Sequence, residues 1–156
     1  MYKRQLLDNQ VQIKTNCNSD ANNAWNQLQN FSIPHKYIPF LQNTMILNNK
    51  SNGIGTSRRV FTKYTYTDET VIEWDEGSGY TIKLHRNNQQ PFPFTTATFT
   101  NKIIPIDKHS CELIGTFKYN LPFGIIGRIV NQLLLSIIIR YNIRRVIMGM
   151  KSYYEE

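Results

Sequence analysis

Through most of this chain apolar and polar residues alternate in short runs, and near the C-terminus the period changes to that of a helix. Val11 and Ile13 occupy every second position of residues 11–15, the spacing of a half-buried strand. Ala21, Ala24, Trp25 and Leu28 then follow at i, i+3, i+4 and i+7, one face of a helix, with Ser19 as its expected N-cap. Phe31-Ser32-Ile33-Pro34 ends that helix. Pro34 is suited to open a second short one carrying Tyr37 and Ile38, which Pro39 limits. Six further strands are expected at about 44–47, 55–64, 70–74, 80–84, 94–104 and 111–119. They are rich in Thr, aromatic and β-branched residues, and Asn-, Gly- and Pro-containing turns separate them.

The strands stop at Leu121-Pro122-Phe123-Gly124, and one stretch without proline, about residues 125–154, completes the chain. As a helix it would be ~45 Å long, enough to cross a small domain. The order β-α-α-β-β-β-β-β-β-α predicts an α+β fold in which a curved sheet wraps a long C-terminal helix, with a cavity between them. The helix carries two apolar stripes. Ile126, Val130, Leu133, Ile137, Tyr141 and Met148 form the one expected to cover the sheet and line the cavity. Leu135, Ile139, Ile143, Val146 and Met150 form the other, with Arg128, Arg140, Arg144, Arg145 and Lys151 around it. If that second stripe faces water, it implies a homodimer or docking on an anionic membrane surface through Leu135, Ile139, Ile143 and Val146. If the N-terminal residues or a loop cover it, it implies neither.

Composition narrows the classes. The chain has 156 residues, 40% of them hydrophobic, so one domain over 1–156 with a core of about 10–154 is expected. Eighteen Lys+Arg against eleven Asp+Glu give a formal charge of +7, which favours anionic partners in general. The basic residues are scattered and form no nucleic-acid-binding module, so nucleic acid is not the expected partner. Two cysteines, Cys17 and Cys111, and three histidines, His35, His85 and His109, show no metal-ligand spacing, so neither a metal nor a cofactor is expected. Residues 1–8 contain no long apolar run and are not read as a secretory leader, so a reducing, cytoplasmic setting is the default. The apolar stretch 125–139 is too short to read as a membrane span, and Arg128, Asn131, Gln132 and Ser136 interrupt it.

The order of elements, with Ala24-Trp25-Asn26-Gln27-Leu28-Gln29-Asn30-Phe31, Gly53-Ile54-Gly55-Thr56-Ser57-Arg58-Arg59-Val60, Glu69-Thr70-Val71-Ile72-Glu73-Trp74-Asp75, Gly79-Tyr80-Thr81-Ile82 and the long last helix, resembles the SRPBCC or START-like helix-grip superfamily, nearest its polyketide cyclase/dehydrase and lipid-transport-like branch. The resemblance spans about residues 11–154. It implies a seven-stranded antiparallel sheet gripping the last helix, two short helices between strands 1 and 2, and a cavity for a lipid, polyketide or similar molecule. By analogy with cavity-lining positions in such proteins, Arg58, Val60 and Thr62 face inward, as do Glu69, Val71 and Glu73 on the next strand and Tyr80, Ile82 and Leu84 on the one after. Trp74, Phe94, Phe117, Tyr119 and the helix residues Val130, Leu133, Ile137 and Tyr141 complete the expected wall. The same arrangement makes the first and last strands neighbours, so Cys17 and Cys111 meet either as a disulfide or as two buried thiols.

Within that wall Arg58 is the candidate to orient an anionic group through a bidentate contact; the alternative is a cross-strand ion pair of Arg58 or Arg59 with Glu73. Glu69 and Glu73, if desolvated, and His35 near the helix corner are the weak catalytic candidates. Three readings follow. The leading one is binding or transport of a small hydrophobic or amphipathic ligand. The second is a cyclase- or dehydratase-like enzyme, and the third a protein- or membrane-interaction module using the outer face of the helix.

Overall fold

The computed structural model describes residues 9–122 and 124–156. Residues 1–8, read above for a leader, lie outside these, as do Phe123 of the expected turn and the side chain of Gln132. Strands β1 (Asn9–Cys17), β2 (Asn43–Ile46), β3 (Ser57–Phe61), β4 (Tyr66–Asp75), β5 (Gly79–His85), β6 (Thr96–Pro105) and β7 (Cys111–Asn120) form one antiparallel sheet in the order β1-β7-β6-β5-β4-β3-β2. Between β1 and β2 lie helix α1 (Ala21–Leu28) and a single 3₁₀ turn at Pro34–Lys36. Asp20, not Ser19, caps α1: its carboxylate accepts the Asn23 amide at 2.9 Å. The helix-grip architecture read from the sequence is therefore the observed one.

Cross-strand rows set the inner face. Val11, Phe117, Phe99, Ile82 and Val71 lie side by side across five strands, and all are buried. The next row runs Ile13, Gly115, Asn101, Tyr80 and Trp74. Gly115 leaves the gap into which Ile147 of the last helix packs; a Cβ there would come within 2.6 Å of its Cδ1. Between Val71 and Glu73 the register slips by a bulge. One extra residue reverses the alternation. Glu73, expected inward, is therefore exposed and accepts the Thr81 hydroxyl at 2.7 Å, while Trp74 turns in to stack on Tyr80 with centroids 5.7 Å apart.

The C-terminal helix runs from Gly124 to Tyr154 with a π-helical turn at Asn131–Leu135. Its faces are the reverse of those expected. Ile139, Ile143, Val146, Ile147, Met150 and Tyr154 are buried, and Leu135 is half-buried against the core. Ile126, Val130, Leu133, Ile137, Tyr141 and Met148 are exposed. The physical reason is charge. Three residues beyond Tyr141 the first stripe meets Arg144, whereas the second stripe carries no charged residue from Leu135 to Tyr154. Burying the first would place a guanidinium in the core without a carboxylate to pair with it. Leu135, Ile139, Ile143 and Val146 thus belong to the interior and are not a docking surface.

The inward line extends back through Asn131 and Gly127 at intervals of four. Such a spacing drifts by about 40° per step around an α-helix. The wider π turn takes up part of that drift and keeps Asn131 against β7, where its Oδ1 accepts the Tyr119 hydroxyl and its Nδ2 donates to Asn9 Oδ1 at 3.2 Å. By length and composition the helix is apolar enough to cross a membrane; little of its most apolar stretch is buried, and its C-terminal half packs on β1 and β7.

At the far end of β1, Cys17 and Cys111 face each other in register as free, fully buried thiols. Burial pushes both thiols up, that of Cys111 to about 12 with Cys17 beside it. On the opposite face of the β3–β4 hairpin, Arg59 grips Asp68 with two hydrogen bonds of 2.6 and 2.9 Å, and the Asn87 amide adds a third at 3.0 Å. These bonds hold the Asp68 carboxyl below its ordinary range. A depressed carboxyl stabilises the fold above its unfolded value, about pH 4, and that contribution is lost as the pH falls through the folded value. Asp68→Asn is therefore expected to unfold more easily than the parent near neutrality and to match it in strong acid, as urea titrations across pH will read. A constant difference at all pH values would show that the pair contributes nothing through its charge.

Candidate functional site

Arg58 enters the interior because β3 alternates: Ser57 and Arg59 point one way, Arg58 and Val60 the other. Only 3% of Arg58 is exposed. Three contacts compensate its charge. Its Nε donates to Glu69 Oε2 at 2.6 Å from the register-paired position on β4. Its Nη1 donates to the Phe31 carbonyl at 3.0 Å, and its guanidinium lies 3.9 Å above the Phe31 ring. The partner foreseen from sequence, Glu73, lies past the start of β3 in the β3–β4 register; Arg58 pairs with Glu69 and Arg59 with Asp68.

Around this pair lies a cavity of about 170 Å³. Its floor is the inner face of β3 to β7, contributing Val60, Ile82, Phe99, Asn101 and Phe117. The segment after α1 contributes Tyr37, Ile38, Phe40 and Leu41, and the last helix contributes Ile143, Val146 and Met150. The mouth is the half-exposed side, with Phe40, Leu41, Thr62, Thr67 and Leu84; the inner end carries the buried Arg58, Tyr80 and Asn101. Burial raises the Tyr80 phenol, so it is a neutral hydroxyl near pH 7. That hydroxyl sits beside the Arg58 guanidinium but outside hydrogen-bonding geometry. Neither it nor Asn101 Oδ1 has a hydrogen-bond partner among the described residues.

Of the residues expected to line the site, Arg58, Val60, Glu69, Tyr80, Ile82 and Phe117 surround the cavity. Val71 is buried in the sheet's central row. Phe94 is half-buried and packs edge-on against Phe117 and Tyr119, at 5.5 and 5.3 Å. Tyr119 is buried on Asn131. Val130, Leu133, Ile137 and Tyr141 face outward because the opposite stripe of the helix is the buried one. Of the catalytic candidates, Glu69 is held by Arg58, Glu73 faces away, and His35 bonds the Thr44 hydroxyl at 2.9 Å beside the corner, outside the cavity lining. Sequence reading did not find Tyr37, Phe40, Phe99, Asn101 or the helix face of Ile143. The signal for Phe99 and Asn101 was the alternation of β6, which places both on one face with Ala97 and Ile103.

No family model and no curated protein matches this sequence. Solved structures do. The chain is similar to the Zhui aromatase/cyclase from Streptomyces sp. R1128, with a TM-score of 0.76 at 11% identity over 95% of this chain and 94% of that one. It is also similar to Ara h 8.0201, with a TM-score of 0.71 at 12% identity over 94% and 97% of the two chains. A START superfamily protein from Mycobacterium smegmatis gives 0.67 at 15% over 92% and 97%. At such identities the likeness establishes the fold, and the fold is the START-like helix-grip one.

Proposed function

We propose that this chain binds a small, largely apolar molecule inside the sheet, in a reducing, cytoplasmic setting. The observation that carries the reading is the cavity itself: an apolar chamber with a half-exposed mouth and a few convergent polar groups at its buried end, the usual make-up of a ligand site. Its volume limits the guest. A dry cavity of about 150 Å³ accepts benzene, so about 170 Å³ has room for one or two fused rings. Binding is favoured over catalysis because Glu69, the only carboxylate on the cavity wall among the described residues, is already engaged by Arg58.

The test is an amide-resolved NMR titration with naphthalene, paired with native mass spectrometry and organic extraction of the protein as purified. The expected result is saturation at one probe per chain, with the largest shifts at Val60, Ile82 and Phe117. Val60→Trp, which fills the chamber, should abolish those shifts. Saturating naphthalene that leaves these three residues unmoved, with nothing extractable from the purified chain, would sink the reading.

A further inference from the structure

We propose that the N-terminal half of the last helix is a membrane-docking surface: residues 125–141 lie flat on a bilayer rich in anionic headgroups, with their outward apolar rows at the acyl boundary and their arginines among the headgroups.

Along residues 125–144 the helix presents four rows, each at intervals of four residues. One row, Gly127, Asn131, Leu135, Ile139 and Ile143, is turned to the sheet; all of it is buried except Leu135, which is half-buried. The row one residue further on, with Arg128, Ser136, Arg140 and Arg144, is polar. The remaining two rows are apolar and exposed. Ile125, Ile129, Leu133, Ile137 and Tyr141 make up one of them, and Ile126, Val130, Leu134 and Ile138 the other. Each of these nine residues is between 49% and 73% exposed. Together they run about 24 Å along the helix. Single apolar residues scattered over a surface are ordinary, but a continuous face of this length is not, and it marks a site of contact.

Charge chooses the occupant. Residues 113–154 hold six cations, Lys118, Arg128, Arg140, Arg144, Arg145 and Lys151, and no Asp or Glu. Arg128, Arg140 and Arg144 are exposed beside the apolar rows. A second copy seated here by two-fold symmetry would bring the same arginines and, on its own helix, no carboxylate to pair with them. Anionic headgroups supply that counter-charge while the acyl layer takes up the apolar rows, and each arginine near such a surface strengthens binding about fivefold. Tyr141 ends the apolar row beside Arg140 and Arg144, a place suited to an amphipathic ring at the headgroup level. The helix lies on the bilayer and does not cross it. Its inner row is held to the sheet, with Asn131 bonded to Tyr119 and Asn9, and surrounding it with lipid would break those contacts.

The test is co-sedimentation of the full chain with vesicles of phosphatidylcholine alone and of phosphatidylcholine with an equal part of phosphatidylserine, at low and high salt. The expected result is binding to the anionic vesicles that weakens as salt rises, and little binding to the neutral ones. Leu133→Glu and Ile137→Glu should each weaken it about tenfold or more, since each withdraws a large apolar side chain from the acyl boundary. Both side chains are exposed, so the melting temperature should not move. Ile106→Glu, equally apolar and exposed but in the β6–β7 turn at the other end of the molecule, should bind as the parent does. Arg140→Gln with Arg144→Gln should weaken binding and flatten its salt dependence. Anionic vesicles that leave the chain in solution, or binding that survives both glutamates, would overturn the proposal. So would a vesicle-free dimer, seen by light scattering, that the same glutamates dissociate, because the face would then belong to a second copy.

Discussion

Glu69→Leu is expected to lower stability by about 3–5 kcal/mol, because it leaves the Arg58 guanidinium buried without a counter-charge. Arg58 is 3% exposed, so water does not replace the lost carboxylate, and its remaining contacts, the Phe31 carbonyl and ring, carry no negative charge. For a domain of this size the loss corresponds to roughly 6–20 °C in melting temperature. The double variant Arg58→Met/Glu69→Leu should return to within about 1 kcal/mol of the parent or exceed it, since removing both ions removes both desolvation costs. The pair thus specifies the interior more than it stabilises it. Chemical denaturation of the three variants decides the matter. A single variant at parental stability would mean that the guanidinium reaches water, and a double variant as weak as the single would mean that packing, not charge, was lost.

How far the sequence disclosed this arrangement differs by element. The strands were legible because period-two alternation is local: β1, β5 and β7 lie within a few residues of their expected bounds. The inward placement of Arg58, Glu69 and Tyr80 came from the same alternation combined with a family resemblance. Glu73 was misplaced because Val71-Ile72-Glu73-Trp74 contains no glycine or other mark of a bulge, and one inserted residue exchanges the faces of everything after it. The helix was misread because both of its stripes are apolar, and periodicity alone does not choose between two such faces. Arg144 held the answer: its position in line with Tyr141 and Met148 forbids that face from the core. Asn101 was missed for a different reason. A polar residue on an inward position reads as an error in a strand pattern unless a cavity is already known to lie over it.

Gly149→Ala is expected to destabilise the protein by about 1–3 kcal/mol, opposite in sign to the rule for helices. In an exposed helix interior the same change gains close to 1 kcal/mol, because glycine loses more backbone entropy on folding. Here the helix presses against the segment after α1, and a Cβ at position 149 would come within 2.0 Å of the Tyr37 carbonyl oxygen and 3.1 Å of its carbon. These are backbone atoms, tied in place by the Tyr37 and Ile38 amides donating to the Pro34 carbonyl at 3.2 and 2.9 Å. The Tyr37 ring is held in turn by Tyr153 and Tyr154, with centroids 5.6 and 5.9 Å away. The helix must therefore retreat, and it takes Val146 and Met150 away from Tyr37 and Ile38 across the cavity. Two readouts follow from one cause: a lower unfolding midpoint, and weaker naphthalene binding as the wall opens. Ser152→Ala, on the exposed side of the same helix, is the control and should be neutral or slightly stabilising. If Gly149→Ala instead raises the midpoint as Ser152→Ala does, the helix does not approach Tyr37 this closely, and the cavity has a different wall.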